Sequence, residues 1–309
     1  MSAQEAIQAS SDSKTRLTEL TALVRRLNTI NRIGVGILGA IAMLIALAFI
    51  AIIIYLIVGG FSYITNLSFY SASLTGVGSE IFNTFYILIL TEIFLFPISL
   101  AAAIYLIEYV PQGRFVSIVH FAAETLAGVP SLVLGLFGVL AFSDLLGLHT
   151  SRLAGALTLL CLNLPLSMRL FEDALASVPR DLREAGLALG TTKWHMIRTV
   201  VIPSALPGLV TGLILSAGKV VGEAAALLFT MGLNNPGNVF TLNPFIASDT
   251  LTTHLYFIIG PGAGSTSLTH PQEIAITAGS SALLIVLLLL INLISRGIGR
   301  LIQRRVTAA

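Results

Sequence analysis

Two pairs of opposite charges lie inside apolar runs of this sequence. Lys219 and Glu223 are four residues apart, a spacing that places two side chains on one face of a helix. Arg169 and Glu172 are three residues apart at the end of an earlier apolar run. A charge at the centre of a membrane costs about 2.5–3.5 kcal/mol on insertion scales. The pairs therefore either neutralise each other as structural pairs or line a water-filled path for a charged solute. In the second case, we expect Lys219 to pair with Glu223 when the path is closed.

No comparable set of residues in the sequence indicates catalytic chemistry. The sequence contains no G-x-x-x-x-G-K-[ST], no H-E-x-x-H and no G-x-S-x-G motif. The single cysteine, Cys161, lies in an apolar run, and the five histidines are scattered without ligand spacing. We therefore expect no enzyme, no metal site and no cofactor in this chain. Glu92 and Glu124 also lie in apolar runs, and the sequence does not place them further.

The composition predicts the elements that must position these charges. Of 309 residues, 55% are hydrophobic and 10% charged, whereas about one quarter of a soluble domain is charged. Each crossing of a membrane takes roughly 20 apolar residues in a helix. We therefore predict an all-α integral membrane protein. Its six predicted transmembrane helices are 34–60, 82–109, 115–148, 153–171, 206–231 and 274–294.

The distribution of lysine and arginine predicts the topology. The N-terminal tail holds five of these residues, the segment 169–198 five and the C-terminal tail four, whereas 61–80 and 232–273 hold none. Such a bias places both termini in the cytoplasm of a prokaryotic cell and the loop 232–273 outside its membrane. An even number of spans satisfies the bias, whereas a five-span alternative would place the C-terminal arginines outside.

The same pattern divides the chain into regions. Residues 1–33 are predicted to be a cytoplasmic tail, in which Lys14 to Arg32 form either an amphipathic helix on the membrane or a basic topogenic segment. The main transmembrane domain is 80–295, and 296–309 is a basic cytoplasmic tail. Small residues at intervals of four in span five predict close packing of a central helix. These glycines are Gly208, Gly212, Gly218 and Gly222.

The segment 177–203 joins the two spans that carry the charge pairs. Pro179 suits the first turn of one helix, Gly190 interrupts it, and Thr191 or Thr192 can cap a second helix. Short amphipathic helices of this kind either dock into a groove of a partner or lie on the membrane surface.

This hairpin resembles the EAA loop of ABC importer permeases. The family pattern E-A-A-x-x-x-G-x9-I-x-L-P is similar to Glu184-Ala185-Gly186 followed by Gly190 and, thirteen residues later, Pro203. Gly186 replaces the second alanine of the pattern. Further stretches resemble phosphate importer permeases of the PstA type, and these are 99–109, 125–138, 172–180, 222–230 and 252–256.

The resemblance implies a type I ABC importer permease fold and one membrane half of an ATP-driven phosphate importer. It implies four kinds of partner, namely a homologous PstC-type permease, a cytosolic ABC ATPase dimer that binds ATP and Mg²⁺, an extracytoplasmic phosphate-binding protein and membrane lipid, but no nucleic acid. It implies that coupling to the ATPase uses Glu184, Ala185, Gly186, Gly190 and Pro203. It also implies that the residues tied to phosphate passage are Arg169, Glu172, Lys219 and Glu223.

One of these residues departs from the family. Lys219 stands where the family has arginine, and lysine lacks the bidentate fork that suits phosphate oxygens. Alternatives are a permease for another oxyanion or a polyamine, or an ion-coupled secondary transporter or channel that uses the membrane charges as a relay. The hairpin argues against a transporter or channel that acts alone. An intramembrane enzyme is disfavoured because the sequence contains no paired-carboxylate or metal-binding motif.

Overall fold

The computed structural model describes residues 3–73, 76–233, 240–260 and 268–307, and within these ranges every regular element is a helix. The side chains of residues 3–24, 295, 296, 298 and 300–307 lie outside the description. The helices are α1 (Ala3–Ile64), α2 (Gly78–Ile104), α3 (Arg114–Ala127), α4 (Ser131–Gly138), α5 (Arg152–Ala176), α6 (Arg180–Ala188), α7 (Lys193–Met196), α8 (Ile202–Gly222), α9 (Ala225–Thr230), α10 (Leu251–Ile259) and α11 (His270–Thr307). Short π-helical segments extend α2 (Tyr105–Tyr109) and α4 (Val139–Leu145) and join α7 to α8 (Ile197–Val201).

The chain divides into two units, residues 1–55 and 56–309. The first unit is helical from Ala3, so the expected boundary between a tail and a first span at residue 33 is not a helix boundary. Most of the described side chains of this unit, such as Leu44 and Phe49, are apolar and exposed, as expected for a helix surrounded by lipid. The amphipathic pattern predicted for Lys14 to Arg32 falls largely on side chains outside the description.

The predicted number of membrane spans is confirmed. Five helical stretches in the described ranges are long and apolar enough to cross a membrane, and a sixth arises if the bent pair α3 and α4 is one span. This pair corresponds to the predicted third span, 115–148, but its two halves meet at 97°. Pro130, directly before α4, lacks the N–H that a continuous helix needs, and it disfavours helical geometry at the preceding residue. The third span is therefore broken rather than straight.

Helix α5 is the centre of the second unit. It contacts α2, α3, α4, α8 and α9, whereas α8, the expected centre, contacts α2, α5 and α11. One apolar cluster packs Phe171 and Leu175 of α5 against Leu209 of α8. A second cluster packs Leu159 of α5 against Ile87 of α2. Most side chains of α5 are thus buried between neighbouring helices.

The predicted fifth span, 206–231, is wrong at both ends. Its helix already begins in the hairpin, because Lys193–Gly222 is one helical stretch through α7 and α8. It ends at Gly222, since Glu223 has an extended backbone with φ −80° and ψ 126°. The short α9 then follows. The second hairpin helix and the fifth span are therefore a single element.

The described part of the loop 232–273 is fixed to the bundle. The amide of Leu153 donates a hydrogen bond to the carbonyl of Pro244 at 2.9 Å, and the amide of Ser248 to the carbonyl of Met231 at 3.1 Å. The loop contains α10, which packs against α2 and α11. Residues 234–239 and 261–267 of this loop lie outside the described residues.

Candidate functional site

A cavity of about 330 Å³ opens between α3, α5 and α8. Its polar lining combines two cations, Arg169 and Lys219, with His120 and the carboxylate of Glu124. The structure therefore brings together one residue from each predicted charge pair. It also places Glu124, which the sequence left open, on the wall of this cavity.

The predicted pair in span four has more partners than the sequence indicated. Glu172 is buried, and its Oε2 lies 2.9 Å from Nε2 of His120 and 4.0 Å from the Arg169 guanidinium. Arg169 also lies 3.8 Å from Asp173, while its side chain remains 58% exposed. The sequence reasoning missed His120, because a partner on another helix leaves no spacing signal. Arg169 is thus loosely held and faces the cavity, with Glu172 behind it.

The predicted pair in span five does not form a helical i, i+4 pair. Helix α8 ends at Gly222, so Glu223 turns away from the helical path that would place it beside Lys219. Among the described side chains no ion pair includes either residue. Lys219 is exposed on the cavity wall, and Glu223 is half-buried and outside the cavity lining. Lys219 and Glu223 are therefore not paired in this structure, and their pairing in a closed path stays a prediction.

Glu92 belongs to a polar chain between three helices. The hydroxyl of Ser167 on α5 donates to that of Ser216 on α8 at 3.0 Å, and Ser216 donates to Glu92 Oε1 on α2 at 2.9 Å. The other carboxylate oxygen of Glu92 is buried without a hydrogen-bond partner. Glu92 thus faces the interior of the bundle rather than the lipid.

The hairpin 177–203 folds around two glycines. A Cβ atom at Gly186 would lie 2.9 Å from Cγ of Met196, so glycine permits the close contact of α6 with α7. Gly190 has φ +75°, a left-handed conformation that favours glycine. Thr192 caps α7 by accepting from the amide of His195, while Thr191 donates to the carbonyl of Gly186. Of the two predicted candidates, Thr192 is therefore the cap of the second helix, and Thr191 instead closes the turn onto Gly186.

An ion pair anchors the hairpin to the bundle. Nε of Arg183 lies 2.9 Å from Oε1 of Glu108, which is 8% exposed at the end of the second span. The same guanidinium donates to the carbonyl oxygens of Leu175, at 2.8 Å, and Val178 at the end of α5. One side chain thus ties α6 to two different spans.

The outer face of the hairpin is apolar and uncovered in the described chain. Trp194 is 56% exposed, Leu189 83% and Leu182 44%. Glu184, Ala185 and Pro203 are also exposed. A face of this composition suits a groove-docking contact with another protein.

The four glycines predicted to pack helices fall into two groups. A Cβ at Gly208 would lie 2.7 Å from Cβ of Ala174, and a Cβ at Gly212 would lie 3.0 Å from the ring of Phe171. Both therefore permit a close approach of α8 to α5. No described atom lies within 4 Å of a Cβ at Gly218 or Gly222, so these two do not pack closely within the chain.

Arg152, at the start of α5, is a further polar residue that the sequence did not single out. It is completely buried. Its guanidinium donates to Asn83 Oδ1 at 2.5 Å, to Ser248 Oγ at 2.9 Å and to the carbonyl of Thr241. It also lies 4.8 Å from the ring centre of Tyr86. Arg152 therefore fastens the loop 232–273 to α2 and α5.

These features define a polytopic helical permease, with a charged cavity between its spans and an anchored hairpin at the end of two of them. The family described as binding-protein-dependent transport system inner membrane component matches residues 96–308. The chain belongs to this family of ABC importer permeases.

Curated relatives cover most of the chain. The probable ABC transporter permease protein YqgI of Bacillus subtilis is 38% identical over 293 residues, which are 90% of this chain and 98% of the relative. The phosphate transport system permease protein PstA of Mycobacterium leprae is 33% identical over 257 residues, 80% of this chain and 81% of the relative. PstA 1 of Mycobacterium tuberculosis is 36% identical over 211 residues, 68% of this chain and 66% of the relative.

A solved structure shares the fold. An inward-facing MetNI methionine ABC transporter chain superposes with a TM-score of 0.57 at 21% identity, covering 72% of this chain and 94% of that chain. The type I importer permease fold expected from the hairpin is thereby confirmed.

Proposed function

We propose that this chain is one membrane-spanning half of an ATP-driven importer of inorganic phosphate. Two relatives that cover two thirds or more of the chain are phosphate transport system permeases. The observation that carries the proposal is the cavity lined by both Arg169 and Lys219. Glu124 contributes the carboxylate of this lining. Among the side chains that line the cavity, two cations against one carboxylate favour an anionic solute over a polyamine.

The arrangement of charges suits passage rather than retention. Arg169 and Lys219 attract a phosphate that enters the cavity, because opposite charges attract strongly where water is partly excluded. Glu172 lies directly behind Arg169, held by His120, and its carboxylate repels the same anion. Lysine presents a point charge without a bidentate fork, so its contact with phosphate is readily broken. A permease needs such a balance, since solute must leave as well as enter.

The absence of an ATP-binding motif in the sequence supports a separate ATPase, and membership of the permease family supports the other partners. In the proposal a cytosolic ABC ATPase dimer binds ATP and Mg²⁺, a homologous PstC-type permease forms the other half of the path, and an extracytoplasmic phosphate-binding protein delivers the solute. Both termini and the hairpin face the cytoplasm, and the loop 232–273 faces outward. The exposed apolar face around Leu182 and Trp194 docks on the ATPase, next to Glu184.

Uptake of radiolabelled phosphate tests the role of the cavity. We expect Arg169→Ala and Lys219→Ala to lower uptake at least about tenfold, and Lys219→Arg to retain most of it because the charge remains. Arg114→Ala is the matched control, since Arg114 is exposed at the start of α3 and does not line the cavity. Uptake by both alanine variants equal to that of the Arg114→Ala control would remove these residues from the path.

Uptake of competing solutes tests the substrate. Sulfate and a polyamine are offered in excess to the same cells, and we expect neither to reduce phosphate uptake. If the chain supports ATP-dependent uptake of one of these solutes and not of phosphate, the permease assignment stands and the phosphate assignment fails.

Assembly tests the coupling role of the hairpin. We expect Glu184→Lys to reduce copurification of the ATPase, because Glu184 lies on the exposed hairpin face. Asp144→Lys is a charge-reversal control outside the hairpin, because Asp144 is exposed in the π-helical segment that follows α4. Unchanged assembly and unchanged uptake in Glu184→Lys would exclude this face as the docking surface.

A further inference from the structure

A buried cluster of three possible metal ligands lies away from the cavity. Glu80 stands in the first turn of α2, Asp249 directly precedes Thr250, the N-cap of α10, and His254 is on α10. One ligand atom from each residue lies within 4.8 Å of the other two. Nδ1 of His254 is 2.8 Å from Asp249 and 4.0 Å from Glu80. The cluster joins the loop to the second span.

The burial of this cluster leaves polar atoms without partners. Glu80 is 5% exposed and Asp249 2% exposed. Oε2 of Glu80, Oδ1 of Asp249 and Nε2 of His254 are each buried without a hydrogen bond. Two carboxylates that share a buried site repel each other, and the imidazole of His254 opposes this repulsion. A bound cation would satisfy the free oxygen atoms and remove the repulsion.

Surrounding hydrogen bonds hold the three residues in place. Thr250 and Thr253 cap α10 reciprocally, which fixes the backbone between Asp249 and His254. The amide of Leu251 donates to the hydroxyl of Thr84 on α2 at 3.0 Å, one turn after Glu80. The side chains therefore project from two rigid elements that are tied together, which is the condition for a preorganised site.

The ligand set selects the class of metal. One imidazole nitrogen with two carboxylates suits a divalent transition metal, whereas Mg²⁺ and Ca²⁺ prefer oxygen ligands alone. The side chain of His254 is 21% exposed, which gives an ion a route from outside the cluster. We propose that Glu80, Asp249 and His254 bind a divalent transition metal ion, with Zn²⁺ as the best match to this ligand set. The proposal departs from the expectation of no metal site, because Glu80 lies far in the sequence from Asp249 and His254 and leaves no ligand spacing there.

A closed ion pair is the rival explanation. Burial lowers the pKa of His254, but the hydrogen bond and the charge of Asp249, together with the charge of Glu80, raise it above its ordinary value. An imidazolium could therefore neutralise part of the cluster without any metal. The two explanations differ in whether the purified chain takes up an ion.

Metal content of the full chain tests the proposal. The chain is purified in nanodiscs with an affinity tag that contains no histidine, treated with a chelator, and titrated with Zn²⁺ in buffer without phosphate. Mass spectrometry of the metal should give one tightly bound Zn²⁺ per wild-type chain, retained in excess Mg²⁺. Loss of a residue that only orients a metal ligand weakens metal binding about 10–100-fold, so Glu80→Gln and Asp249→Asn, which change ligands themselves, should weaken it at least about tenfold. Binding by the wild type no tighter than by these variants overturns the proposal.

Two controls keep the result interpretable. His270→Gln removes an exposed histidine outside the cluster and should bind Zn²⁺ as the wild type does. Size-exclusion profiles show whether Glu80→Gln and Asp249→Asn remain folded. If they do not, Co²⁺ added to the wild-type chain gives an independent measurement. Absorption bands of a nitrogen- and oxygen-ligated Co²⁺ that Zn²⁺ displaces support the site, and their absence refutes it.

Discussion

Arg183 provides a quantitative test of how the hairpin is attached. Its guanidinium bonds to Glu108 and to the carbonyl oxygens of Leu175 and Val178, and the Arg183 side chain is only 16% exposed. In Arg183→Ala the carboxylate of Glu108, with its side chain 5% exposed, stays buried without its cation. Removing one partner of a buried ion pair destabilises the folded state by about 3–5 kcal/mol. The partial exposure of Arg183 favours the lower end of this range, about 3 kcal/mol. Since about 1.4 kcal/mol corresponds to a factor of ten, the hairpin should open roughly 100-fold more often.

Hydrogen exchange of the full chain in nanodiscs measures this opening. We expect the amides of α6 to exchange roughly 100-fold faster in Arg183→Ala. Arg180→Ala is the matched control, because Arg180 is exposed on the same helix. A double variant with Glu108→Ala should exchange little faster than Arg183→Ala alone, since the pair has then been removed entirely.

Two outcomes would refute this reasoning. If Arg183→Ala and Arg180→Ala exchange at the same rate, the pair with Glu108 does not hold the hairpin. If the effects of Arg183→Ala and Glu108→Ala simply add, the two residues act independently. Loss of phosphate uptake with unchanged exchange would instead assign Arg183 to contact with a partner.

Other predictions concern the glycines. Gly208→Ala should destabilise the chain by about 1–3 kcal/mol because its Cβ would overlap Ala174, whereas Gly218→Ala, in open space, should change stability by less than about 0.5 kcal/mol. Thermal unfolding in detergent compares the two, and equal losses would contradict close packing at Gly208. Gly190→Ala should cost about 1–2 kcal/mol because its φ of +75° is unfavourable for a residue with a Cβ. Exchange of the α6 amides measures this loss, and wild-type rates would show that the turn adopts another conformation.

Apolar length and hairpin pattern were sufficient to predict the number of spans and the fold. They fail where a single residue changes the path of the chain. The sequence around Glu223 stays apolar on both sides, so a hydropathy window does not detect that α8 ends there. The bend before α4 is equally local, and a hydropathy window does not detect it either, although Pro130 marks its position in the sequence.

Long-range polar contacts were the least predictable part of the site. His120 reaches Glu172, and Arg152 reaches Asn83, across distances in sequence that no spacing rule covers. Charges in apolar runs nevertheless pointed to Arg169 and Lys219, which the structure places on the lining of one cavity. Which residues neutralise each other depends on helix ends and rotations, and these are determined by packing.

The continuous helix from Lys193 to Gly222 acts as a lever. At about 1.5 Å per residue, Gly208 lies roughly 22 Å from Lys193 and roughly 17 Å from Lys219. The tight contact of Gly208 with α5 makes this point a natural fulcrum. A tilt of about 5° around it would move the hairpin end by roughly 2 Å and Lys219 by roughly 1.5 Å in the opposite direction. A small displacement at the hairpin end would thus change the position of a cation on the cavity wall at the other end.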